Sequence, residues 1–124
     1  MKQRILVIDD DRLVADTLSL IFKANGYESE AVYSAADGLA RARTFAPGLL
    51  LCDITMPGET GLQLAEKVQL EMPDCKLLLL TAYASNAAKV EQHISRMKQP
   101  LKLLHKPCRP ETLLREAHDL LERA

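Results

Sequence analysis

Residues 5–11 read ILVIDDD, four apolar residues followed directly by three aspartates. An apolar run of this length is too short for a helix and too continuous for a strand with one face in water. It is typical of a buried strand in a parallel sheet. A weaker strand pattern covers residues 28–32, and three more apolar runs follow along the chain. These runs are Leu49–Cys52, Leu77–Leu80 and Leu101–Leu104.

Stretches with helical spacing separate these strands. Apolar residues three or four positions apart predict amphipathic helices, and residues 35–45 form one more helical segment. The helix faces consist of Val14, Leu18 and Ile21, then Ala65, Val68 and Met72, then Ala87, Val90, Ile94 and Met97, and finally Leu113, Leu114, Ala117, Leu120 and Leu121. The residues suited to helix ends are Asp11, Gly26, Ser34 with Asp37, Thr60 with Gln63, and Pro110.

The alternation of five strands with five helices predicts an α/β protein, in which helices flank both faces of a doubly wound, five-stranded parallel sheet. The chain has 124 residues, of which 48% are hydrophobic and 27% charged, as expected for a single domain over residues 1–124. A chain of this length buries roughly two-thirds of the surface that it exposes when unfolded. We therefore expect it to fold without a disulfide or a structural metal.

Charge and cysteine content argue against several classes of protein. The chain has 16 basic and 17 acidic residues and a net charge of -1, which gives no electrostatic reason to bind nucleic acid or an anionic membrane. The apolar run at residues 5–8 is too short for a signal peptide or a membrane span, so we expect a cytoplasmic protein. The three cysteines, Cys52, Cys75 and Cys108, are odd in number and lack metal-ligand spacing, which predicts reduced thiols.

Polar residues follow the predicted strands at the points where the strands end. Open parallel sheets place their ligand sites beyond the carboxyl ends of the strands, near the point where the strand order reverses. We therefore expect these side chains to converge on one edge of the sheet. They are Asp9 and Asp10 after the first strand, Asp53 after the third, Thr81 and Ala82 after the fourth, and Lys106 and Pro107 close after the fifth.

Three carboxylates at one edge predict a cation. Two like charges about 4 Å apart repel by roughly 4 kcal/mol at an effective dielectric constant of 20. Oxygen ligands suit Mg²⁺, which keeps several waters and accepts a phosphate oxygen. Asp53 is then a candidate nucleophile for a phosphoryl group, whose oxygens would meet Lys106, the Thr81 hydroxyl and the Ala82 N–H. Each residue alone has a plainer interpretation, as a helix cap, a strand end or part of a loop.

Four segments of the chain resemble the receiver domain of bacterial two-component response regulators. The resemblance covers nearly the whole chain, and the segments occur in the order that the family has. It implies a flavodoxin-like fold with strand order 2-1-3-4-5. The segments are ILVIDDD at 5–11, LLLCDITMPGETG at 49–61, LLLLTA at 77–82 and LHKP at 104–107.

The resemblance implies a role for each matching residue. Asp53 is similar to the phosphoacceptor of the family, and Asp9 and Asp10 are similar to the acidic pair that holds Mg²⁺, for which Mn²⁺ can substitute. The remaining implied roles are a metal ligand in the backbone carbonyl of Thr55, a switch hydroxyl on Thr81, the family's lysine at Lys106, and a cis peptide bond between Lys106 and Pro107.

Two features depart from the family pattern. Leu103 stands where the family usually has a Tyr or Phe that rotates inward when the switch threonine moves. Because leucine cannot make that aromatic switch, we expect a different coupling between Thr81 and the surface formed by the fourth helix, the fifth strand and the last helix. The sequence SRMKQP at 95–100 replaces the family's Gly-Ala signature and lengthens the interval before Lys106, which predicts a reshaped fourth helix and loop.

The implied function is a phosphorylation-dependent switch rather than a turnover enzyme. Asp53 would take a phosphoryl group from the phosphohistidine of a sensor histidine kinase or a histidine phosphotransfer protein, and the new charge would change an interaction surface, for example one that forms a dimer. Two alternatives stay open. One is a docking or dimerisation module that works without phosphorylation. The other is a haloacid-dehalogenase-like phosphatase with Asp9 as nucleophile, because Asp9-x-Asp11 after an apolar strand fits that motif.

Overall fold

The computed structural model describes residues 2–54, 61–81 and 101–122 of the 124-residue chain. Strands and helices alternate along these ranges, as the apolar periodicity predicts. The strands are β1 (Arg4–Ile8), β2 (Glu28–Val32), β3 (Leu49–Asp53), β4 (Lys76–Thr81) and β5 (Leu101–His105). The helices are α1 (Arg12–Ala24), α2 (Ala35–Phe45), α3 (Gly61–Glu71) and α4 (Pro110–Glu122).

All five strands are parallel, and they lie in the order β2-β1-β3-β4-β5. The prediction of a doubly wound α/β fold is therefore confirmed, and so is the strand order that the resemblance implies. The chain passes from β1 to β2 on one side and returns to β3 on the other side. This reversal creates the switch point at which open sheets of this kind place their ligand sites.

The three central strands, β1, β3 and β4, are buried on both faces of the sheet, which explains why their apolar runs are uninterrupted. Alternate residues of β1, β3 and β4 point to opposite faces and form two clusters, one against α2 and α3 and the other against α1 and α4. The first cluster contains Leu6, Ile8, Leu50, Cys52, Leu77 and Leu79, and the second contains Ile5, Val7, Leu49, Leu51, Leu78 and Leu80.

Three strands extend one residue beyond their apolar runs. β3 ends with Asp53, β4 ends with Thr81, and β5 ends with His105. Asp53 is paired in register with Leu80, and Thr81 is paired with His105. The backbones of these polar residues are therefore held by the ladder of the sheet, as the site described below requires.

The helix ends follow the capping residues that the sequence contains. The Asp11 side chain caps α1 by accepting hydrogen bonds from the backbone N–H groups of Leu13 (3.1 Å) and Val14 (3.3 Å). The Ser34 hydroxyl caps α2 by accepting a 3.1 Å hydrogen bond from the backbone N–H of Asp37. Gly26 follows α1 with φ of 94°, a left-handed conformation that glycine adopts at little cost.

Helix α1 buries a face displaced by one residue from the face that its apolar spacing predicts. A serine takes part in this face, because the Ser19 hydroxyl makes a 3.1 Å hydrogen bond with the Ser29 hydroxyl of β2. A buried hydroxyl with such a partner avoids most of the cost of losing water. The expected residues Val14, Leu18 and Ile21 are half-buried, and those buried deepest are Ala15, Ser19 and Phe22.

Several predictions fall outside the part of the chain that the structure describes. Among them are the helix over residues 87–97, the reshaped loop at residues 95–100 and the capping pair that begins at Thr60. Within the described ranges there are four helices, two on each face of the sheet. None of the helices in these ranges has the length and apolar character needed to cross a bilayer.

Candidate functional site

Three polar residues are buried at the carboxyl ends of neighbouring strands. Asp9 follows β1, Asp53 ends β3 and Thr81 ends β4, and their exposed fractions are 2%, 7% and 2%. Parallel pairing brings these strand ends to the same edge of the sheet. Residues that are far apart in the sequence therefore meet where the strand order reverses, as the sequence predicts.

The carboxylates of Asp9, Asp10 and Asp53 form an acidic cluster at this edge. One oxygen atom from each lies within 4.8 Å of the other two, and Asp10 is exposed while the other two are buried. Negative charges at this spacing repel one another. Hard oxygen donors with one side open to water match the ligand preferences of Mg²⁺. The donor set therefore fits the divalent cation that the sequence led us to expect.

Lys106 reaches the acidic cluster from the end of β5. Its Nζ lies 3.1 Å from Oδ2 of Asp53 and 3.3 Å from Oδ2 of Asp9. Its backbone N–H donates a 2.8 Å hydrogen bond to the carbonyl oxygen of Thr81. The peptide bond to Pro107 is cis, the isomer that the resemblance implies. Lys106 therefore contacts two acids of the cluster with its side chain and β4 with its backbone.

The charge of Lys106 is supported by the acids that it contacts. Burial by itself lowers the pKa of Lys106, but the hydrogen bonds and charges of Asp53 and Asp9 outweigh burial and raise the pKa above its ordinary value. The side chain therefore stays an ammonium group at neutral pH. A fixed positive charge beside Asp53 is suited to stabilising negative charge that arrives there.

Asp9 has a contact at each of its carboxylate oxygens. Oδ1 accepts a 3.0 Å hydrogen bond from the backbone N–H of Asp11, and Oδ2 faces Lys106. Burial raises the pKa of Asp9 above its ordinary value, and the Asp11 N–H and Lys106 only partly offset this rise. The charge of Asp53 acts in the same direction as burial. A divalent cation beside Asp9 would favour its ionised form.

The structure brings together most of the residues that the sequence proposed for the site. Leu103, the position at which the chain departs from the family pattern, is paired with Leu79 and packs half-buried against the cluster that faces α2 and α3. The residues that meet at the edge are Asp9, Asp10, Asp53, Thr81 and Lys106. Thr55 and Ala82 lie outside the described residues.

Gly61, the first residue of α3, is a site residue that sequence reasoning missed. A Cβ atom on Gly61 would lie 2.7 Å from the Cα of Ile54 and closer still to the carbonyl oxygen of Asp53. The Gly61 N–H also donates a 2.9 Å hydrogen bond to the carbonyl oxygen of Ile54. The start of α3 therefore packs directly on the backbone that carries Asp53. The signals in the sequence are the place of Gly61 at the end of the segment 49–61 that resembles the family and the presence of a glycine at the beginning of a helix, where a better helix former would otherwise be expected.

The fold and the site together define a class of doubly wound α/β proteins with an acidic cluster and a lysine at the switch point of the sheet. Residues 5–118 match the family model of the response regulator receiver domain. The chain belongs to this family, and the resemblance drawn from the sequence is confirmed.

Curated relatives of the chain are response regulators of mycobacteria. It is 33% identical over 90 residues to response regulator MprA of Mycobacterium bovis (strain BCG / Pasteur 1173P2), covering 73% of this chain and 39% of that protein. It is 29% identical over 82 residues to DNA-binding response regulator MtrA of Mycobacterium tuberculosis (strain ATCC 25618 / H37Rv), covering 66% of this chain and 36% of that protein. The aligned region thus spans less than two-fifths of each relative.

Solved structures with the same fold include receiver proteins of similar length. One is a CheY-like response regulator receiver domain protein from Methanospirillum hungatei JF-1, with a TM-score of 0.86, 30% identity, and coverage of 98% of this chain and 95% of that one. Another is chemotaxis protein CheY4 of Vibrio cholerae, with a TM-score of 0.85, 25% identity, and coverage of 97% and 99%. The fold of the chain is therefore that of CheY-like proteins.

Proposed function

We propose that the chain is a phosphoacceptor in two-component signal transduction and that Asp53 takes the phosphoryl group. The observation that carries this proposal is the contact of Lys106 Nζ with a buried Asp53 inside an acidic cluster. A buried carboxylate beside a fixed ammonium group is positioned to act as a nucleophile towards an incoming phosphoryl group.

In the proposed transfer, a carboxylate oxygen of Asp53 attacks the phosphorus atom of a phosphohistidine. An O–P bond forms as the P–N bond breaks, and the bonding electron pair stays on the imidazole nitrogen. A proton from water completes the neutral imidazole. The Lys106 ammonium offsets charge on the phosphoryl oxygens, and the Thr81 hydroxyl and the Ala82 N–H are the proposed hydrogen-bond donors to them.

The acidic cluster is the proposed Mg²⁺ site, and Mn²⁺ would fit the same oxygen ligands. Asp9, Asp10 and Asp53 would hold the ion together with the backbone carbonyl of Thr55. When bound, the ion supplies positive charge that offsets the negative charge of the transferred group. The carboxylates offer the oxygen donors for this role, and their mutual repulsion falls when a cation is present.

The proposed phosphodonor is a sensor histidine kinase or a histidine phosphotransfer protein. Response regulator receiver domains interact with histidine kinases, and the chain lies within that family. We further propose that it works in the cytoplasm as a switch, binds no nucleic acid itself and turns over no substrate. One relative is named a DNA-binding response regulator, and this chain covers 36% of it.

Mass spectrometry of the intact protein tests the proposal. With MgCl₂ and acetyl phosphate, the chain is expected to gain the mass of one phosphoryl group, and Asp53→Asn is expected to gain none. Asp37→Asn is the matched control, because Asp37 is an exposed acid on α2, and it should react as the unchanged protein does. A phosphoryl adduct that survives Asp53→Asn would show that another residue is the acceptor.

Two further measurements separate the proposal from its two alternatives. Steady hydrolysis of a phosphate ester that stops in Asp9→Asn and continues in Asp53→Asn would indicate a phosphatase. Beryllofluoride mimics the bound phosphoryl group. If the chain is a switch, adding beryllofluoride should change the oligomeric state of the chain or its affinity for a partner. A chain that changes neither would instead be a docking module that works without phosphorylation.

A further inference from the structure

Asp11 makes two kinds of contact at once. Its Oδ1 accepts hydrogen bonds from the backbone N–H groups of Leu13 (3.1 Å) and Val14 (3.3 Å) at the start of α1. Its own backbone N–H donates a 3.0 Å hydrogen bond to Oδ1 of Asp9. The residue that caps the helix therefore also holds a carboxylate of the acidic cluster.

This arrangement restrains the acidic cluster from its helix side. The backbone N–H of Asp9 donates to the carbonyl oxygen of Val32 at 3.2 Å, which attaches Asp9 to the sheet. Asp11 is attached to α1 through its cap. Asp10 lies between these two fixed points, so its backbone is held on both sides.

The three consecutive aspartates have different tasks. Asp9 and Asp10 contribute oxygens to the acidic cluster, together with Asp53. Asp11 is exposed and directs its carboxylate to the helix amides. The negative charge of Asp11 beside the N-terminus of α1 also interacts favourably with the helix dipole.

We infer that Asp11 is a positioning residue for the Mg²⁺ site of the proposed function. By capping α1 it keeps its own N–H directed at Asp9 and limits the movement of Asp10. Loss of the cap frees the turn at residues 10–13 and lets the two acids leave the geometry that a divalent ion requires. Groups that orient metal ligands typically change metal affinity by 10–100-fold when they are removed.

Isothermal titration calorimetry of Mg²⁺ into the unphosphorylated chain tests this inference. Asp11→Ala is expected to raise the Mg²⁺ Kd by about tenfold, at the lower end of that range. Asp11→Asn and Asp11→Ser keep a side-chain oxygen that can cap the helix, and their Kd should stay within about twofold of the unchanged protein. The Asn and Ser variants also remove the charge of Asp11, so they separate capping from simple electrostatic attraction.

Two further variants separate an effect on the Mg²⁺ site from a general loss of folding or of helix capping. Asp11→Gly lacks the capping oxygen, but glycine is tolerated well at the N-cap of a helix, so this variant should fold and yet bind Mg²⁺ as weakly as Asp11→Ala. Ser34→Ala removes the matched cap of α2, which makes the same kind of hydrogen bond away from the acidic cluster. Its Mg²⁺ Kd should not change.

Two results would overturn the inference. One is an Mg²⁺ Kd for Asp11→Ala and Asp11→Gly within about twofold of the unchanged protein. The other is equal weakening in Asp11→Asn and Asp11→Ala, which would make charge the cause. The inference rests on the proposed function, and the two fail differently: an unchanged protein that binds no Mg²⁺ contradicts both, whereas normal Mg²⁺ binding in every Asp11 variant contradicts the positioning role alone.

Discussion

At the scale of single residues, Asp53 is contacted through different atoms by two residues, Lys106 and Gly61. Lys106 contacts its carboxylate at 3.1 Å, and Gly61 packs against its backbone carbonyl. The ammonium group sets the charge beside the carboxylate, and the absence of a side chain on Gly61 lets α3 approach β3. Both contacts constrain where the carboxylate can lie, so a change at either residue should affect its chemistry.

Replacement of Gly61 by alanine should destabilise the fold and slow phosphorylation of Asp53. The added Cβ would meet the backbone of Asp53 and Ile54, which cannot move as a side chain can. Overpacking of this kind typically costs about 1–3 kcal/mol. Urea denaturation would measure the loss of stability, and acetyl phosphate kinetics would measure the rate.

Gly48→Ala is the matched control for Gly61→Ala. A Cβ at Gly48 would meet the Cδ2 atom of Leu121 at 3.1 Å, and that flexible side-chain end can shift. Its stability and phosphorylation rate should remain close to those of the unchanged protein. Equal effects of the two substitutions would contradict the special role of Gly61.

The three thiols should differ sharply in reactivity. Burial raises the pKa of Cys52 above its ordinary range and raises the pKa of Cys75 to about 12, so neither forms the reactive thiolate readily. Cys108 is half-buried, and although burial raises its pKa as well, reagents can reach it. Iodoacetamide at pH 8, followed by peptide mapping, should modify Cys108 first. Rapid modification of Cys52 in the folded chain would contradict this order.

At the scale of elements, the edge strand β2 is tied to its neighbours by ion pairs. Glu28 accepts a 2.6 Å hydrogen bond from the Nε of Arg4, and Glu30 accepts two hydrogen bonds from Arg41, each 2.6 Å long. Both guanidinium groups lie over the ring of Phe45, with centroid distances of 5.6 and 5.3 Å. Charged residues on an edge strand also discourage pairing with other chains.

The Glu30–Arg41 pair should contribute a small, pH-dependent part of the stability. The Arg41 guanidinium lowers the pKa of Glu30 below its ordinary value. A lowered folded-state pKa means that the contribution is present above the pKa of the unfolded chain, about 4.3, and is lost as the pH falls through the folded-state value. Glu30→Gln should therefore reduce stability slightly at pH 7 and progressively less below about pH 4.

Urea denaturation would measure the coupling energy between Glu30 and Arg41 at pH 7 and below about pH 4. The proteins compared are Glu30→Gln, Arg41→Gln and the double variant. Because both side chains are about 40% exposed, 1 M NaCl should weaken the coupling. If the loss of stability in Glu30→Gln grew as the pH fell, it would contradict a lowered pKa of Glu30 in the folded chain.

At the scale of the whole molecule, stability depends on a sheet buried from both sides. The two clusters share the central strands but contact different helices, α2 and α3 on one face and α1 and α4 on the other. The acidic site lies at the edge of the same sheet, where the buried strands end. Packing of the core therefore fixes the separation of the strands that carry the site.

A matched pair of leucines tests this dependence on the core. Leu50, in β3, has no exposed surface, whereas Leu70, in α3, is 85% exposed. Leu50→Ala should lower the free energy of unfolding by about 2–5 kcal/mol, and Leu70→Ala should change it by no more than about 0.5 kcal/mol. Urea denaturation would measure both. A large loss in Leu70→Ala would mean that its side chain is buried in solution.

Complete burial made the three central strands plain in the sequence. The central strands are apolar without interruption because both of their faces meet helices, whereas β2 lies at the edge and carries Glu28 and Glu30, which made its pattern weaker. The first helix was predicted, but its deepest face was not, because a buried Ser19 with a hydroxyl partner breaks the apolar spacing. Periodicity detects apolar burial and misses polar residues that are buried in pairs.

The sequence by itself determined the fold class and the chemical groups at the strand ends, because hydrophobic periodicity and chain order are local properties. Only the tertiary structure decided which of these groups touch. Lys106 lies 97 positions from Asp9 and 53 from Asp53, and their contacts depend on strand register and helix packing. The contacts of Asp11 are local, with residues two or three positions away, whereas the contact of Gly61 with Asp53 depends on how α3 packs on β3. A distance between atoms of remote residues is set by the packing of the whole core, which no local pattern records.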